Sequence, residues 1–218
     1  MGAGLGMAGM IENKNVILGM NPKIGKFVIL GENPTNATKE LIIGDNPTIR
    51  SHSVIYNGNK IGNNFQTGHG ILLRENNVIG DNVSIGSHTV VEGGNKIGNN
   101  VRIHSNCFIP EFVEINDFAW LGPGVVILNI LHPPCPKFEE CAKGVLIKRN
   151  AKIGGNVTIG PKVEIGENSL IGFGSVVVRD IPDNSVVVGN PARVVKSVDE
   201  LICKEGYFNR PYEWEKAK

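Results

Sequence analysis

Charge of either sign is scarcely in excess in these 218 residues, with 22 Lys and Arg against 21 Asp and Glu. No global field therefore draws the chain to nucleic acid or to a membrane surface. No run of about 18 apolar residues occurs, so nothing reads as a membrane-spanning helix. Four cysteines are too few for a disulfide scaffold at this length, and reduced thiols in a cytoplasmic setting are the expectation. Residues 1–10 are Gly-rich with no basic residue ahead of them, which makes a poor secretory signal. A flexible lead-in is expected over 1–17.

What is present is a period. From Ile43 to Ile127 every sixth residue is aliphatic, fifteen positions in all, and only Thr67 breaks the rule. Glycine often follows, and a small or branched residue such as Val83, Thr89, Val101, Cys107 or Ala119 comes four positions later. Six is neither the 3.6 of a helix nor the 2 of an ordinary strand. It is the signature of a parallel β-helix built from hexapeptides. The frame starts at Leu18, Ile24 and Leu30, slips by one residue within 31–42, and breaks again between Ile127 and Ile147, where 131–144 must be a loop pushed out of the solenoid. It resumes at Ile147 and runs to Val177, giving 24 hexapeptides or eight coils. At ~4.8 Å per stacked strand the prism is roughly 40 Å long. Each inward aliphatic contributes ~1.5–3 kcal/mol before entropy is subtracted. Glycine and asparagine suit the corners, because both tolerate left-handed backbone. Ser197-Val198-Asp199-Glu200 reads as a capping box opening a short helix over 197–205, with Gly206 as its stop.

Several polar residues stand out from the repeat. His69 lies between Gly68 and Gly70, directly after Thr67, and His52 and His88 share the neighbouring corner column. An acceptor or phosphate pocket and a plain polar corner ladder are both open readings; His69 and His88 are the substrate-binding candidates. His132, Cys135 and Cys141 could offer zinc ligands, or the two cysteines could be free thiols or a disulfide. Cys107 falls at an inward position and reads as core, and His104 has no distinguishing context.

The whole pattern resembles the hexapeptide-repeat acyltransferases. The likeness is most specific in Gly122-Pro123-Gly124-Val125 leading to His132-Pro133, and from Ile165-Gly166-Glu167-Asn168-Ser169 through Gly172-Phe173-Gly174-Ser175 to Gly189-Asn190-Pro191-Ala192-Arg193-Val194. The resemblance implies an all-β fold, a left-handed parallel β-helix of about eight coils over 18–190. It would carry one extruded loop at 129–146 and a helix and tail over 191–218. It further implies a homotrimer that binds acetyl-CoA and a small sugar acceptor in clefts between prisms, with no metal required. His132 matches the catalytic histidine of galactoside and maltose O-acetyltransferases. Glu111 and Asn129, 18 residues apart, match the acceptor-holding pair of the nucleotide-linked amino-sugar N-acetyltransferases. The matching coenzyme positions are Gly160, Phe173, Gly174, Val178, Arg179 and Arg193, with the two arginines as phosphate partners. Phe173 departs from the family's usual alanine. A gamma-type carbonic anhydrase shares the fold but needs two histidines five apart, a spacing that does not occur here.

Acyl transfer from a thioester needs a deprotonated nucleophile and donors for the developing oxyanion. His132, near an unperturbed pKa of ~6.5, suits the first task for a sugar hydroxyl. An amine asks less, and Glu111 with Asn129 would orient it or take its proton. N-acetylation of a nucleotide-activated amino sugar is the leading expectation, with O-acetylation through His132 and a non-catalytic interaction scaffold as alternatives.

Overall fold

The computed structural model describes residues 15–34 and 40–212. The expected lead-in over residues 1–14 lies outside them. Its last part is corrected, because Val16–Leu18 is already a strand paired in parallel with Leu41–Ile43. The apolar run Val16-Ile17-Leu18 gives that strand its reason.

Among the described residues from Val16–Leu18 to Val176–Val177, 24 short strands sort into three parallel sheets, one strand per sheet in each of eight coils. Register is kept by inward aliphatics stacking on one another, as in Ile85 on Ile103 and Ile103 on Leu121. Those side chains are fully buried, and so are the residues four positions later, such as Val83, Val101 and Ala119. The early slip in the frame is a register shift between Leu30 and Glu32 where they face Ile55 and Tyr56, with Gly31 at φ 77°.

Corners close the coil because one residue in each takes a left-handed conformation. Asn46, Asn64, Asn82 and Asn100 all sit at φ 57° in one corner column. Their side-chain amides form a ladder, each Nδ2 donating to the next Oδ1 at 2.9–3.3 Å. His52 and His88 occupy the equivalent place in another corner, at φ 63° and 57°.

The outward columns give the three sheets different chemistry. One face presents Ile17, Ile42, Lys60, Val78, Lys96, Glu114, Leu146 and Glu164, a mixture that includes a Lys96–Glu114 ion pair at 3.7 Å. A second, the polar face, presents Lys23, Thr48, Gln66, Ser84, Arg102, Trp120, Lys152 and Leu170, with no acid among them. The third, the apolar face, presents Ile29, Val54, Leu72, Val90, Phe108, Val126, Thr158 and Val176.

The C-terminal end differs from the expected pattern. The solenoid does not stop at residue 190: Ser185–Gly189 joins the polar sheet, and Ala192–Ser197 folds back antiparallel on it. Gly189-Asn190-Pro191 is the turn between them. The capping box forms, with Ser197 Oγ accepting from Asp199 N–H and Glu200 accepting from Ser197 N–H at 2.8 Å. Yet the helix is a single 3-10 turn, Val198–Glu200, and Leu201 is extended. Ile202 is 76% exposed and no residue of the turn is fully buried, so this segment gains little apolar packing against the solenoid. A cap without tertiary packing does not sustain further turns.

Candidate functional site at the mouth of the extruded loop

The loop leaves the solenoid after Val126–Ile127 and returns at Leu146–Ile147. Asn129 marks the exit and also closes the neck, since its carbonyl accepts from Lys143 N–H at 2.8 Å. Gly144 completes the return; a Cβ there would collide with the Phe112 carbonyl of the coil below. The loop holds one helical turn, Phe138–Cys141, and a disulfide between Cys135 and Cys141. That bond corrects the expectation of reduced thiols at these two positions and leaves neither sulfur as a thiolate ligand beside His132. Cys107 is buried, and burial pushes its thiol above the ordinary range, as a core role requires.

Stacking brings Glu111 and Asn129 together as their spacing implied. Asn129 Nδ2 donates to Glu111 Oε2 at 2.9 Å, and Asn129 is 7% exposed. One carboxylate oxygen is thus fixed by the amide, and the other can meet a ligand. Arg179 follows the inward Val177 as Asn129 follows Ile127 and Glu111 follows Ile109. It therefore lies in the same corner column, two coils further on, roughly 10 Å away. Gly160 and Val178 occupy the adjacent column of that corner.

His132 sits exposed on the loop and has no hydrogen-bond partner among the described residues, so nothing fixes its tautomer or orientation. Phe173 and Gly174 stand at the opposite edge of the apolar face, with Phe173 88% exposed and Gly174 at φ 68°. The six coenzyme positions are therefore not gathered within one chain. Gly160, Val178 and Arg179 line one edge of the apolar face, Phe173 and Gly174 the other, and Arg193 lies on the terminal hairpin, its Nη1 donating to the Ala192 carbonyl at 2.8 Å.

The histidines of the other corner are placed by backbone needs as much as by chemistry. His69 Nδ1 is 2.9 Å from Ser51 Oγ, and its N–H donates to Ser87 Oγ at 2.9 Å. His88 supplies a left-handed corner residue and donates its N–H to the His69 carbonyl. His69 also lines a cavity of ≈ 610 Å³ on the polar face, together with Arg50, Thr67, Ser84, Arg102 and His104; His88 does not. Nothing in the sequence singled out Arg50 or Arg102, and His104 had no distinguishing context there. The indirect signals were Thr67 and the 18-residue column spacing. Thr67 breaks the aliphatic rule because its Oγ1 accepts the Arg50 amide, leaving its own carbonyl to accept from the Arg50 guanidinium.

His104 packs edge-on against Trp120, ring centroids 4.7 Å apart, and its Nε2 is buried with no partner. Burial, and after it the charge of Arg102, push its imidazole below the ordinary value. Between that ordinary value, ~6.5, and the lower folded one, the unfolded chain binds more protons, so stability falls as pH drops through this window. We expect His104→Gln to flatten this part of the pH profile of urea midpoints. An unchanged slope between pH 7 and 5 would show that the ring does not titrate against folding.

The fold and these corners define a parallel β-helix of stacked hexapeptides. Among solved structures, LpxA, a UDP-N-acetylglucosamine acyltransferase from Bacteroides fragilis, superposes with a TM-score of 0.56 at 18% identity, covering 90% of this chain and 74% of that one. The polySia-specific acetyltransferase NeuO gives 0.54 at 20%, covering 85% and 88%. The architecture is thus the left-handed parallel β-helix. Residues 78–111 and 144–179 match the family described as bacterial transferase hexapeptide (six repeats). A 2,3,4,5-tetrahydropyridine-2,6-dicarboxylate N-acetyltransferase of Alkaliphilus metalliredigens is 40% identical over 80 residues, 37% of this chain and 31% of that protein. A galactoside O-acetyltransferase of Lactococcus lactis is 32% identical over 92 residues, 40% of this chain and 44% of that protein. The chain therefore spans less than half the length of these curated relatives. Among the described residues no helix is long and apolar enough to cross a membrane.

Proposed function

We propose that this protein is an acetyl-CoA-dependent acyltransferase that acetylates the amino group of a nucleotide-activated amino sugar in surface-glycan assembly. The observation that carries the reading is the Glu111–Asn129 pair at the loop mouth, in one corner column with Arg179. Asn129 holds one oxygen of Glu111, and the other orients the amine. The neutral nitrogen attacks the thioester carbonyl, the carbon–sulfur bond breaks, and the departing thiolate takes up the proton that nitrogen loses. His132 lacks the orienting partner that a general base for a hydroxyl needs, which favours nitrogen over oxygen as the acceptor.

The protein works as a homotrimer through its apolar face. A continuous outward column of Ile29, Val54, Leu72, Val90, Phe108, Val126 and Val176, broken only by Thr158, is what an association surface presents. Covering that face with a second copy brings Gly160, Val178 and Arg179 on one edge within reach of Phe173 and Gly174 on a neighbour's. The coenzyme then lies in the cleft between copies. Acetyl-CoA is a cytoplasmic metabolite, and the activity is placed there.

The test is acetyl-CoA-dependent release of free thiol against nucleotide-linked amino sugars, neutral sugars and the dicarboxylate of the relatives. Release with amino sugars alone supports the proposal. Release with neutral sugars moves the chemistry to O-transfer through His132. Silence across the panel, with no binding of acetyl-CoA, leaves an interaction scaffold.

A further inference from the structure

The polar face carries two cavities that share one side chain. The first, ≈ 610 Å³, is lined by hydroxyls, amides and imidazole: Gln66, Thr67, Ser84, His69 and His104. The second, ≈ 520 Å³, is lined by Trp120 and Phe118 with Arg149 and Lys152. Arg102 lines both. The other cations of the two cavities are committed. Arg50 donates to the Thr67 carbonyl, Arg149 pairs with Asp117 at 3.5 Å and lies over the Phe118 ring, and Lys152 donates to Asn150 Oδ1 at 2.6 Å. Arg102 is exposed, and although its backbone N–H donates to the Ala119 carbonyl, its guanidinium has neither a hydrogen bond nor an ion pair among the described residues. A free guanidinium thus stands between an aromatic compartment and a polar one, on a face without acids in its outward column.

The register supplies the length. Trp120, Arg102, Ser84 and Gln66 are consecutive members of one outward column. Three strand steps of ~4.8 Å make roughly 14 Å, about the reach of a base, a diphosphate and a sugar laid end to end. We infer that the polar face binds a nucleoside diphosphate. The base stacks against Trp120 and Arg102 holds the diphosphate, whose far end lies toward Ser84 and Gln66. Aromatic faces accept bases by stacking, and a guanidinium fork suits phosphate oxygens. Thr67 acts as a positioning residue, fixing Arg50 at the far wall of the polar compartment. The inference does not depend on the acceptor reading above and stands without any turnover.

The experiment is calorimetric titration of the full chain, without acetyl-CoA, using uridine diphosphate and inorganic pyrophosphate as probes. Uridine diphosphate is expected to bind more tightly than pyrophosphate. Arg102→Gln should weaken it about tenfold or more, and Trp120→Leu about fivefold or more. Lys96→Gln, which removes a cation from the mixed face, should leave it unchanged. Each variant is compared at equal melting temperature, so that misfolding is seen directly. Equal affinity for the two probes overturns the aromatic half. No binding, or equal loss in Arg102→Gln and Lys96→Gln, overturns the site. Binding that follows Arg102 while the thiol-release panel stays silent keeps this inference and removes the acyltransferase reading.

Discussion

Glu111→Gln is expected to lower kcat/KM for the acceptor by about a hundredfold or more, with little change in melting temperature. The substitution keeps the shape and can still accept from Asn129 Nδ2, so the 2.9 Å bond that ties the two coils survives. What it removes is the negative charge that orients an amine and stabilises the proton it sheds. Asn129→Ala should cost a similar factor, because it frees the carboxylate to rotate. The double variant should fall well short of the product of the single losses, since the two side chains act as one unit. Steady-state rates on the best acceptor check all three. A Glu111→Gln enzyme within about threefold of the parent would mean that the pair does not take part in the chemistry.

Val90→Lys should dissociate the assembly. Val90 lies midway along the apolar column, between Leu72 and Phe108. An ammonium there has no partner on a covering copy, and an unpaired charge in a dry contact costs several kcal/mol. At about 1.4 kcal/mol per tenfold, that weakens association by roughly a thousandfold. The side chain points outward, so the monomer still folds. Val78→Lys, at an outward position of the mixed face, is the comparison and should leave the sedimentation mass unchanged. A Val90→Lys protein of parental mass would show that this face is not the contact surface. With dissociation, activity should fall as well, because the two edges that carry the coenzyme positions no longer meet.

The period of six made most of the solenoid legible. Inward aliphatics such as Ile85, Ile103 and Leu121 must stack if the coil is to have a core, and the count of eight coils follows from spacing alone. Glu111 and Asn129 were legible for the same reason, since 18 residues is one coil. The ends were less so. Ala192–Ser197 continues a sheet by reversing direction, which the hexapeptide frame does not encode, and the turn Gly189-Asn190-Pro191 was the available cue. The cysteine pair sits inside an irregular loop, where spacing does not fix distance. Thr67 was visible as an anomaly, yet its partner Arg50 is 17 residues back, and the bond between them depends on the fold of the corner. The unshared role of Arg102 needed the contacts of its neighbours, because a cation's availability is set by what the others have already bound.

The extruded loop enters and leaves at a single corner. The strand pairing on either side of it, Glu114 with Leu146 and Trp120 with Lys152, continues as if it were absent. Its neck is one backbone bond, from Lys143 N–H to the Asn129 carbonyl, and one glycine seated on Phe112. The stack therefore fixes where the loop begins and ends but places no demand on its length or composition. A graft between Asn129 and Lys143 should therefore change the loop's length and composition without rewriting a single coil.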